Sequence, residues 1–187
     1  MSFSTGTTGK SKQSVSTMIY RSDHLQNFVE SYRKLAMLPS PKKEKTELSE
    51  LLENCLQIMQ PLFKKEQITV VNSVDFNRWI FVDKKQMEQV IINLLTNSMY
   101  ALADKEIKEI TISAEVKEKR IYLIITDTGT GIDAEIEDKI FLPFFTTRKD
   151  GAGIGLTLSK NIIEAHGGYL AFENGENQTK FTVCLLE

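Results

Sequence analysis

The sequence predicts an α+β fold: a two-layer sandwich of helices on a mixed, mainly antiparallel sheet, with one further helix at the N-terminal end. Two observations predict this class. Long stretches with apolar residues at three- and four-residue steps alternate with short stretches rich in β-branched residues, and the strand-like stretches cluster in the second half of the 187 residues. Because strands and helices do not alternate strictly, we do not expect an all-parallel sheet.

The composition is that of a globular chain and excludes several classes of function. The 23 basic and 25 acidic side chains give a net charge of -2, so non-specific binding to nucleic acid is not expected. No apolar stretch reaches the roughly 18 to 20 residues of a membrane span. We therefore expect a cytoplasmic chain, with membrane attachment of the complete parent protein left open. Cys55 and Cys184 lie far apart without a neighbouring histidine, and they predict neither a zinc site nor a disulfide.

The first 41 residues are predicted to form a tail and a helix. Residues 1–17 are mostly small and polar, as is typical of a flexible tail or of an artificial leader. From Met18 to Leu38 apolar residues recur at helical spacing, and Pro39 and Pro41 end the helix because proline has no amide hydrogen. We therefore expect residues 42–187 to form the main domain.

The first two helices of the main domain have recognisable starts. Thr46 is the expected N-cap of a helix with one apolar face, and the charged residues 42–45 before it are expected to be a solvated connector. Asp83, with Gln86 three residues later, predicts the capped start of a longer helix that runs to about Ala103. Both helices are expected to pack their apolar faces on the sheet.

A third helix is expected between Leu156 and His166, because the glycine pair that follows is typical of a helix C-terminus. His166 at that end is expected to serve structure rather than catalysis. Strands are expected at 68–71, 79–82, 109–116 and 120–126, with a closing hairpin at 169–173 and 180–186.

Two asparagines on the long helix are candidates for binding chemistry. Asn93 and Asn97 are four residues apart, so their carboxamides project from the same face. The alternative for either residue alone is that a buried asparagine only satisfies backbone groups. A carboxamide oxygen is, however, a hard and neutral ligand suited to Mg²⁺, which takes its other ligands from water and nucleotide phosphates. The pair therefore predicts a site for a magnesium nucleotide.

A first glycine motif follows a predicted strand. Asp127 ends the strand, where its carboxylate can accept a hydrogen bond from an exocyclic amine such as N6 of adenine. Gly129 and Gly131 have no Cβ and let the backbone approach a flat ring or adopt positive φ. The alternative is an ordinary turn, because aspartate and glycine are common turn residues.

A second glycine motif opens the third helix. Gly151, Gly153 and Gly155 bring backbone N–H groups and the positive end of a helix dipole to a place where an anion can bind. The alternative is a flexible loop of no special function. Arg148 and Lys149 precede the glycines, and residues from about 133 to 151 are expected to form a mobile lid, in which Phe141 is expected in the core and Phe145 either there or in the site.

Taken together and in this order, the motifs resemble the catalytic ATP-binding domain of sensor histidine kinases. The motifs are Asn93-x-x-x-Asn97, DxGxG from Asp127, FxPFFTT from Phe141 and GxGIGL from Gly151. The domain belongs to the superfamily of gyrase, the Hsp90 chaperones and MutL, and the resemblance covers roughly residues 46 to 187. It is similar to the short-lid, nitrogen-regulatory group, and it implies a Bergerat-type fold with ATP between the long helix and the lid.

The resemblance implies a role for each motif residue. Asn97 matches the residue that binds Mg²⁺ in the family, and Asn93 matches its neighbour beside the metal and phosphates. Asp127 matches the aspartate that reads adenine. Tyr100 stands where many relatives carry lysine, which puts one phosphate contact in doubt. Arg148 and Lys149 are implied to act at the phosphates and, with Asn93, to be the catalytic residues. The other implied binding residues are Gly129 and Gly131 beside the base, and Gly151, Gly153, Gly155 and Leu156 at the phosphates.

The N-terminal helix fits the same resemblance. It looks like the second helix of a dimerisation and phosphotransfer hairpin whose first helix, with the phosphorylated histidine, is expected to be missing from this chain. His24 lacks the usual flanking acid and proline and is expected on the helix surface. The implied partners are a histidine-bearing hairpin of the same protein, a downstream response regulator, and a second copy of the chain. An apolar stripe on this helix is expected either to form the homodimer or to pack against the ATP-binding domain; its residues are Leu25, Phe28, Val29, Tyr32 and Leu35.

Two classes of function follow from these observations. The first is a histidine kinase that binds Mg-ATP or Mg-ADP and donates the γ-phosphoryl group in two-component signal transduction. The alternative is a nucleotide-dependent interaction module or a serine kinase of the anti-sigma-factor type. Asn93 disfavours hydrolysis, since ATPases of the superfamily typically carry glutamate there as a general base. The helix before Pro39 favours a histidine kinase, and this chain alone is expected to bind nucleotide without autophosphorylation.

Overall fold

The structure is a computed structural model, and within its described residues three helices cover one face of a five-stranded sheet. No helix in this part of the chain is both long and apolar enough to cross a membrane. The described residues are 26, 29–30, 32–33, 35–74, 78–148, 151–175 and 177–186.

The helix expected before Pro39 is present where the chain is described. Each described residue between 26 and 36 is helical, and the backbone N–H of Met37 donates to the carbonyl of Arg33 at 2.9 Å. His24 and the earlier residues of the expected helix lie outside the described residues.

The predicted apolar stripe of this helix divides into a covered and an uncovered part. Leu35 packs against the core, whereas Val29 and Tyr32 are exposed. Leu25 and Phe28 lie outside the described residues, so association through this stripe stays a prediction.

The three helices of the main domain have the predicted order. They are α1 at Leu48–Lys65, α2 at Lys84–Ala101 and α3 at Gly155–Ala165. Helix α2 begins as expected: Asp83 is its N-cap, and a carboxylate oxygen accepts the backbone N–H of Gln86 at 3.1 Å. The capping bond satisfies an N–H group that has no partner inside the helix.

The strands form two sheets. The strands are β1 at Glu44–Glu47, β2 at Thr69–Asn72, β3 at Trp79–Val82, β4 at Glu109–Lys117, β5 at Arg120–Asp127, β6 at Tyr169–Gly175 and β7 at Gln178–Leu186. In the larger sheet the order is β2-β4-β5-β7-β6, with β2 parallel to β4 and every other pair antiparallel. The smaller sheet is the antiparallel pair β1-β3.

The core lies between the helices and the larger sheet, which confirms the predicted two-layer, mainly antiparallel fold. The alternating buried pattern of β5 places one set of its side chains under the helices, as the period of two requires. The apolar stripe of α2 is buried throughout. Its residues are Met87, Val90, Ile91, Leu94 and Leu95.

The expectation that Thr46 caps the first helix is wrong. Thr46 lies in β1, opposite Ile80 of β3, and α1 begins at Leu48 after Glu47. Two of the charged residues that suggested a solvated connector, Glu44 and Lys45, belong to this strand. Alternate side chains of a strand face opposite sides, so a charged sequence can pair as a strand while burying only Thr46.

His166 has the structural role expected for it, through contacts that the sequence does not reveal. The imidazole is buried; Nδ1 lies 2.7 Å from the carbonyl oxygen of Ile162, and Nε2 accepts the backbone N–H of Asp83 at 3.0 Å. A ring that donates at Nδ1 and accepts at Nε2 is the neutral tautomer. The Nζ of Lys43 also donates to the carbonyl of His166 at 3.1 Å. The end of α3 is thus joined to the start of α2.

The linker before the main domain is bonded to the same region. The backbone N–H of Lys42 donates to a carboxylate oxygen of Asp83 at 2.9 Å. The side-chain amide of Gln86 donates to the carbonyl of Pro39 at 2.9 Å, and Leu38 packs against the core. The segment at the predicted domain boundary is therefore held against α2 by hydrogen bonds and apolar contact.

Candidate functional site

A cavity of about 960 Å³ lies between α2 and the chain from Thr130 to Leu156. It brings together most of the residues that the sequence singled out. Gly129 lies next to it, outside its lining, and Lys149 lies outside the described residues. The predicted residues on the cavity wall are Asn93, Asn97, Asp127, Gly131, Arg148, Gly151, Gly153, Gly155 and Leu156.

Asp127 lies at the end of β5, with only 1% of its surface exposed. Ser98 of α2 donates its hydroxyl to Oδ2 at 2.8 Å, and the backbone N–H of Gly129 donates to Oδ1 at 3.0 Å. Burial raises the pKa of the carboxyl group, and these two hydrogen bonds only partly oppose the effect. Each carboxylate oxygen keeps a lone pair for a further donor in the cavity.

The two glycines after Asp127 fit their backbone geometry closely. A Cβ on Gly129 would lie 2.6 Å from the Cβ of Ala101 and equally close to a carboxylate oxygen of Asp127. Gly131 has a φ of 75°, which side chains other than glycine rarely adopt. Both positions therefore require glycine, and Gly131 adopts the positive φ that was one of the two predicted reasons for a glycine.

The two predicted asparagines have different surroundings. Asn93 donates its Nδ2 hydrogen to the hydroxyl of Ser159 at 3.0 Å, and a Cβ on Gly155 would clash with Asn93 Oδ1. Asn97 has a buried Nδ2 without a hydrogen-bond partner among the described residues. A buried amide left without a partner is costly in an isolated protein, and it points to a group that binds in the cavity.

Asn97 fits a role as a ligand of Mg²⁺ that is shared with a nucleotide. The oxygen and nitrogen of the amide exchange places by a half-turn of the side chain, so either can face the cavity. Within the described stretches, no three His, Cys, Asp or Glu side chains come together as a metal cluster. A magnesium ion here would therefore take most of its ligands from water and phosphate oxygens, as Mg²⁺ usually does.

The segment before the glycine motif is anchored at its centre. Ile140 is buried, and the ring of Phe141 lies 6.0 Å from that of Phe172 on β6. Thr157 of α3 donates its hydroxyl to the carbonyl of Phe141 at 2.9 Å. Phe141 thus packs against the core as expected, whereas Phe145 is part of the cavity wall. Mobility of the whole segment from 133 to 151 stays a prediction.

The second glycine motif leads into α3 through a closely packed backbone that has no side-chain cap. Gly153 has a φ of 66°, and a Cβ there would lie 2.5 Å from the backbone of Phe144. Ile154 is the N-cap of α3 and makes no capping bond through its side chain. The first N–H groups of the helix are therefore not satisfied by a side-chain cap, as an anion-binding helix start requires.

Arg148 contacts the last turn of α2. Its guanidinium carbon lies 3.5 Å from the centroid of the Tyr100 ring, a cation–π contact. Tyr100 follows Asn97 by three residues, so the two side chains lie on the same face of α2. The position for which the resemblance suggested a lysine thus carries a ring that holds a cation from another segment.

The site includes residues that the sequence analysis missed. Ser98 and Ser159 are buried on helices and bind the side chains of Asp127 and Asn93. Thr179 of β7 is buried opposite Asp127 and also lines the cavity. A small polar residue within the apolar stripe of a helix is the signal that could have found Ser98, which follows Leu94 by four residues.

Comparison with known proteins agrees with this geometry. The family described as histidine kinase-, DNA gyrase B-, and HSP90-like ATPases matches residues 82–187. The sensory histidine kinase/phosphatase NtrB of Vibrio alginolyticus is 31% identical over 181 residues, which are 90% of this chain and 50% of that protein. The chain spans half or less of the length of the curated relatives it matches first.

Solved structures have the same fold. The catalytic domain of the histidine kinase ThkA superimposes with a TM-score of 0.71 at 28% identity, covering 78% of this chain and 95% of that one. ThkA in complex with the response regulator protein TrrA superimposes with a TM-score of 0.74 at 24% identity, covering 99% of this chain and 53% of that one.

Proposed function

Because the chain belongs to the histidine kinase-, DNA gyrase B-, and HSP90-like ATPase family, we propose that it binds Mg-ATP and donates the γ-phosphoryl group to a histidine in two-component signalling. One observation carries the proposal. A single cavity is lined by two carboxamides, a buried carboxylate and the glycine loop before α3.

The end of the cavity at Asp127 is the place for adenine. A buried carboxylate whose oxygens each keep a lone pair can accept the N6 hydrogen, and Ser98 and the N–H of Gly129 fix its orientation. Gly131 leaves room for the base beside the backbone. Guanine has a carbonyl in place of the amine, so the carboxylate would repel it.

The end of the cavity at α3 is the place for the phosphates. The uncapped N–H groups at Gly155 and Leu156, together with Arg148, can hold the triphosphate. Asn97 would bind Mg²⁺ through its carboxamide oxygen, and Asn93 lies one helical turn before Asn97 on α2. Bound Mg²⁺ would neutralise charge on the phosphates and so assist transfer of the γ-phosphoryl group.

The residues of the site can position a phosphoryl donor but do not supply a base for water. Asn93 stands where an ATPase would need a glutamate, and its amide is held by Ser159. A carboxamide does not accept a proton at neutral pH, so the site favours transfer over hydrolysis. The relatives compared above are histidine kinases, which favours this function over an interaction module or an anti-sigma-factor kinase.

The proposed partners follow from the reaction. The acceptor is a histidine on a phosphotransfer hairpin of the same protein, and a response regulator then takes the phosphoryl group. The complex of ThkA with TrrA supports the second partner, because the same fold is found there with a response regulator.

The proposal is tested by binding and by transfer. Calorimetry should detect Mg-ATP binding, and Asn97→Ala should weaken it, whereas Asn161→Ala on α3, away from the cavity lining, should not. The protein should then transfer label from γ-labelled ATP to a separately prepared hairpin that contains the acceptor histidine. Failure to bind nucleotide would refute the whole proposal, and binding without transfer would refute the kinase activity.

A further inference from the structure

The side chain of Arg148 has an unusual environment for a cation. It is half-buried on the cavity wall, and the ion pairs of the described residues do not include it. Its backbone N–H donates to the hydroxyl of Thr146 and its carbonyl accepts the N–H of Gly151, so its main chain is held in place. Among the described residues no carboxylate pairs with its guanidinium. A half-buried cation loses part of its hydration, which is costly unless another group compensates for the lost water.

The compensating group is the ring of Tyr100. The contact of 3.5 Å is short enough for the positive charge to interact strongly with the electron-rich face of the ring. In such a stack the guanidinium uses its flat face, and its N–H groups stay available to an anion at its edge. The ring therefore places the cation without occupying its hydrogen-bond donors.

Tyr100 also sets where the cation lies. It is on the same face of α2 as Asn97, three residues away, and both side chains line the cavity. Arg148 belongs to the segment before the glycine loop, whereas Tyr100 belongs to a rigid helix whose apolar stripe is buried. The contact thus fixes the Arg148 guanidinium relative to the Asn97 carboxamide, which is proposed to bind Mg²⁺.

We propose that Tyr100 is a positioning residue for phosphate binding: it holds the Arg148 guanidinium over the phosphate end of the cavity. This rests on the proposed function. Tyr100 itself touches no phosphate, and its effect is exerted through Arg148. The ring replaces, on α2, the direct cation that the family resemblance suggested for this position.

The inference is tested by comparing ligands with and without phosphates. Calorimetry with adenosine, Mg-ADP and Mg-ATP is performed on the unchanged protein and on Tyr100→Leu, Tyr100→Phe, Arg148→Ala and the double variant Tyr100→Leu/Arg148→Ala. Tyr100→Leu should lower the affinity for Mg-ADP and Mg-ATP about two- to thirtyfold, the range of a cation–π contact, and leave the affinity for adenosine unchanged. Tyr100→Phe keeps the ring and should bind like the unchanged protein.

The double variant separates positioning from a general loss of structure. If Tyr100 acts through Arg148, the double variant binds Mg-ATP no more weakly than Arg148→Ala alone. Tyr169→Leu is the matched control, because Tyr169 is 43% exposed against 49% for Tyr100 and lies on β6, away from the cavity lining. It should bind all three ligands normally.

Three results would overturn the inference while leaving the proposed function intact. The first is that Tyr100→Leu loses affinity for adenosine and for Mg-ATP equally. The second is that the losses of affinity add in the double variant, and the third is that Tyr100→Leu binds nucleotide more tightly. The last would mean that the ring withholds the cation from the phosphates. If the unchanged protein bound no nucleotide, the inference and the proposed function would both fall.

Discussion

At the scale of single residues, the Asp127 carboxylate is expected to favour nucleotide recognition and to lower the stability of the folded protein. Burial raises the pKa of its carboxyl group, so the folded protein binds the proton more tightly than the unfolded chain does. Stability therefore falls as the pH rises from below the ordinary carboxyl value through the raised one. Above the raised pKa the ionised carboxylate destabilises the folded protein, and we attribute its presence to nucleotide recognition.

Replacing Asp127 with asparagine is therefore expected to separate the two properties. Asp127→Asn should unfold at the same or a higher temperature at pH 7, with less dependence on pH between 4 and 7. Its affinity for Mg-ATP should fall roughly ten- to hundredfold, since a hydrogen bond to a charged acceptor is lost. Thermal unfolding over this pH range and calorimetry measure the two effects.

The control for this change is Asp138→Asn, on an exposed carboxylate away from the cavity lining. It should alter neither the unfolding temperature nor the affinity. A strongly destabilised Asp127→Asn, or one with normal affinity, would contradict the role given to the carboxylate.

The sequence predicted the residues of the site whose chemistry is distinctive, and it missed those whose role depends on contacts. Asp127 and Asn97 follow from their residue types and spacing. Ser98 and Ser159 do not, because a serine in a helix acquires such a partner only when another element packs against it. Tyr100 was noted as a departure from the family, but its contact with Arg148 joins two segments distant in sequence.

At the scale of the elements, the start of α2 depends on Asp83. Burial raises the pKa of this carboxyl group. Hydrogen bonds from backbone N–H groups, those of Lys42 and Gln86 first among them, together with the nearby His166, outweigh this effect, and the pKa lies below its ordinary value. The stabilisation is therefore present above the ordinary carboxyl pKa and is lost as the pH falls through the lowered one.

Removing this cap should destabilise the protein in a pH-dependent way. Asp83→Ala is expected to lower the free energy of unfolding by about 1 kcal/mol at pH 7, the usual value of an N-cap. The difference from the unchanged protein should shrink as the pH falls below the ordinary carboxyl range. Urea unfolding at several pH values measures it, and Asp83→Asn, which keeps a capping oxygen, is the control. A pH-independent difference would exclude the ionised carboxylate as its cause.

The segment between β5 and α3 is expected to respond to nucleotide in part only. Ile140 and Phe141 are anchored in the core, so amides near them should be protected from hydrogen exchange without ligand. Residues 142–148 are mostly exposed and should gain protection when Mg-ATP binds. Exchange measured by mass spectrometry tests this. Equal protection of residues 142–148 with and without Mg-ATP would contradict a lid.

The element boundaries show where pattern reasoning ends. The three main-domain helices and the strands with alternating or β-branched sequences were predicted to within a few residues. Strand β1 was not, because its charged sequence favours a loop, and it is a strand only because β3 pairs with it. Pairing between segments more than 30 residues apart is a tertiary effect that a local pattern does not contain.

At the scale of the whole molecule, the two cysteines report on the integrity of the fold. Cys55 and Cys184 are both fully buried, and neither forms a disulfide. Burial, with a smaller effect of the Glu88 carboxylate, raises the pKa of the Cys55 thiol to about 12. Since the thiolate is the reactive form, Cys55 should be inert in the folded protein at neutral pH.

Thiol labelling should therefore measure unfolding and its suppression by ligand. In native buffer both thiols are expected to react with an aromatic disulfide reagent at least a hundredfold more slowly than in urea. Saturating Mg-ATP should slow the reaction further, because a ligand that binds only the folded state stabilises it. Cys184→Ser isolates the signal of Cys55. Rapid labelling of Cys55 without denaturant would show that the core opens locally.

The bonds between the linker and the start of α2 have a mechanical consequence. Lys42 and Pro39 are tied to Asp83 and Gln86, and Lys43 is tied to His166 at the end of α3. These bonds attach the helical segment before Pro39 to the ends of two helices of the main domain. A push or twist on that segment would therefore act directly on α2, which carries both asparagines, and on α3, which begins at the glycine loop.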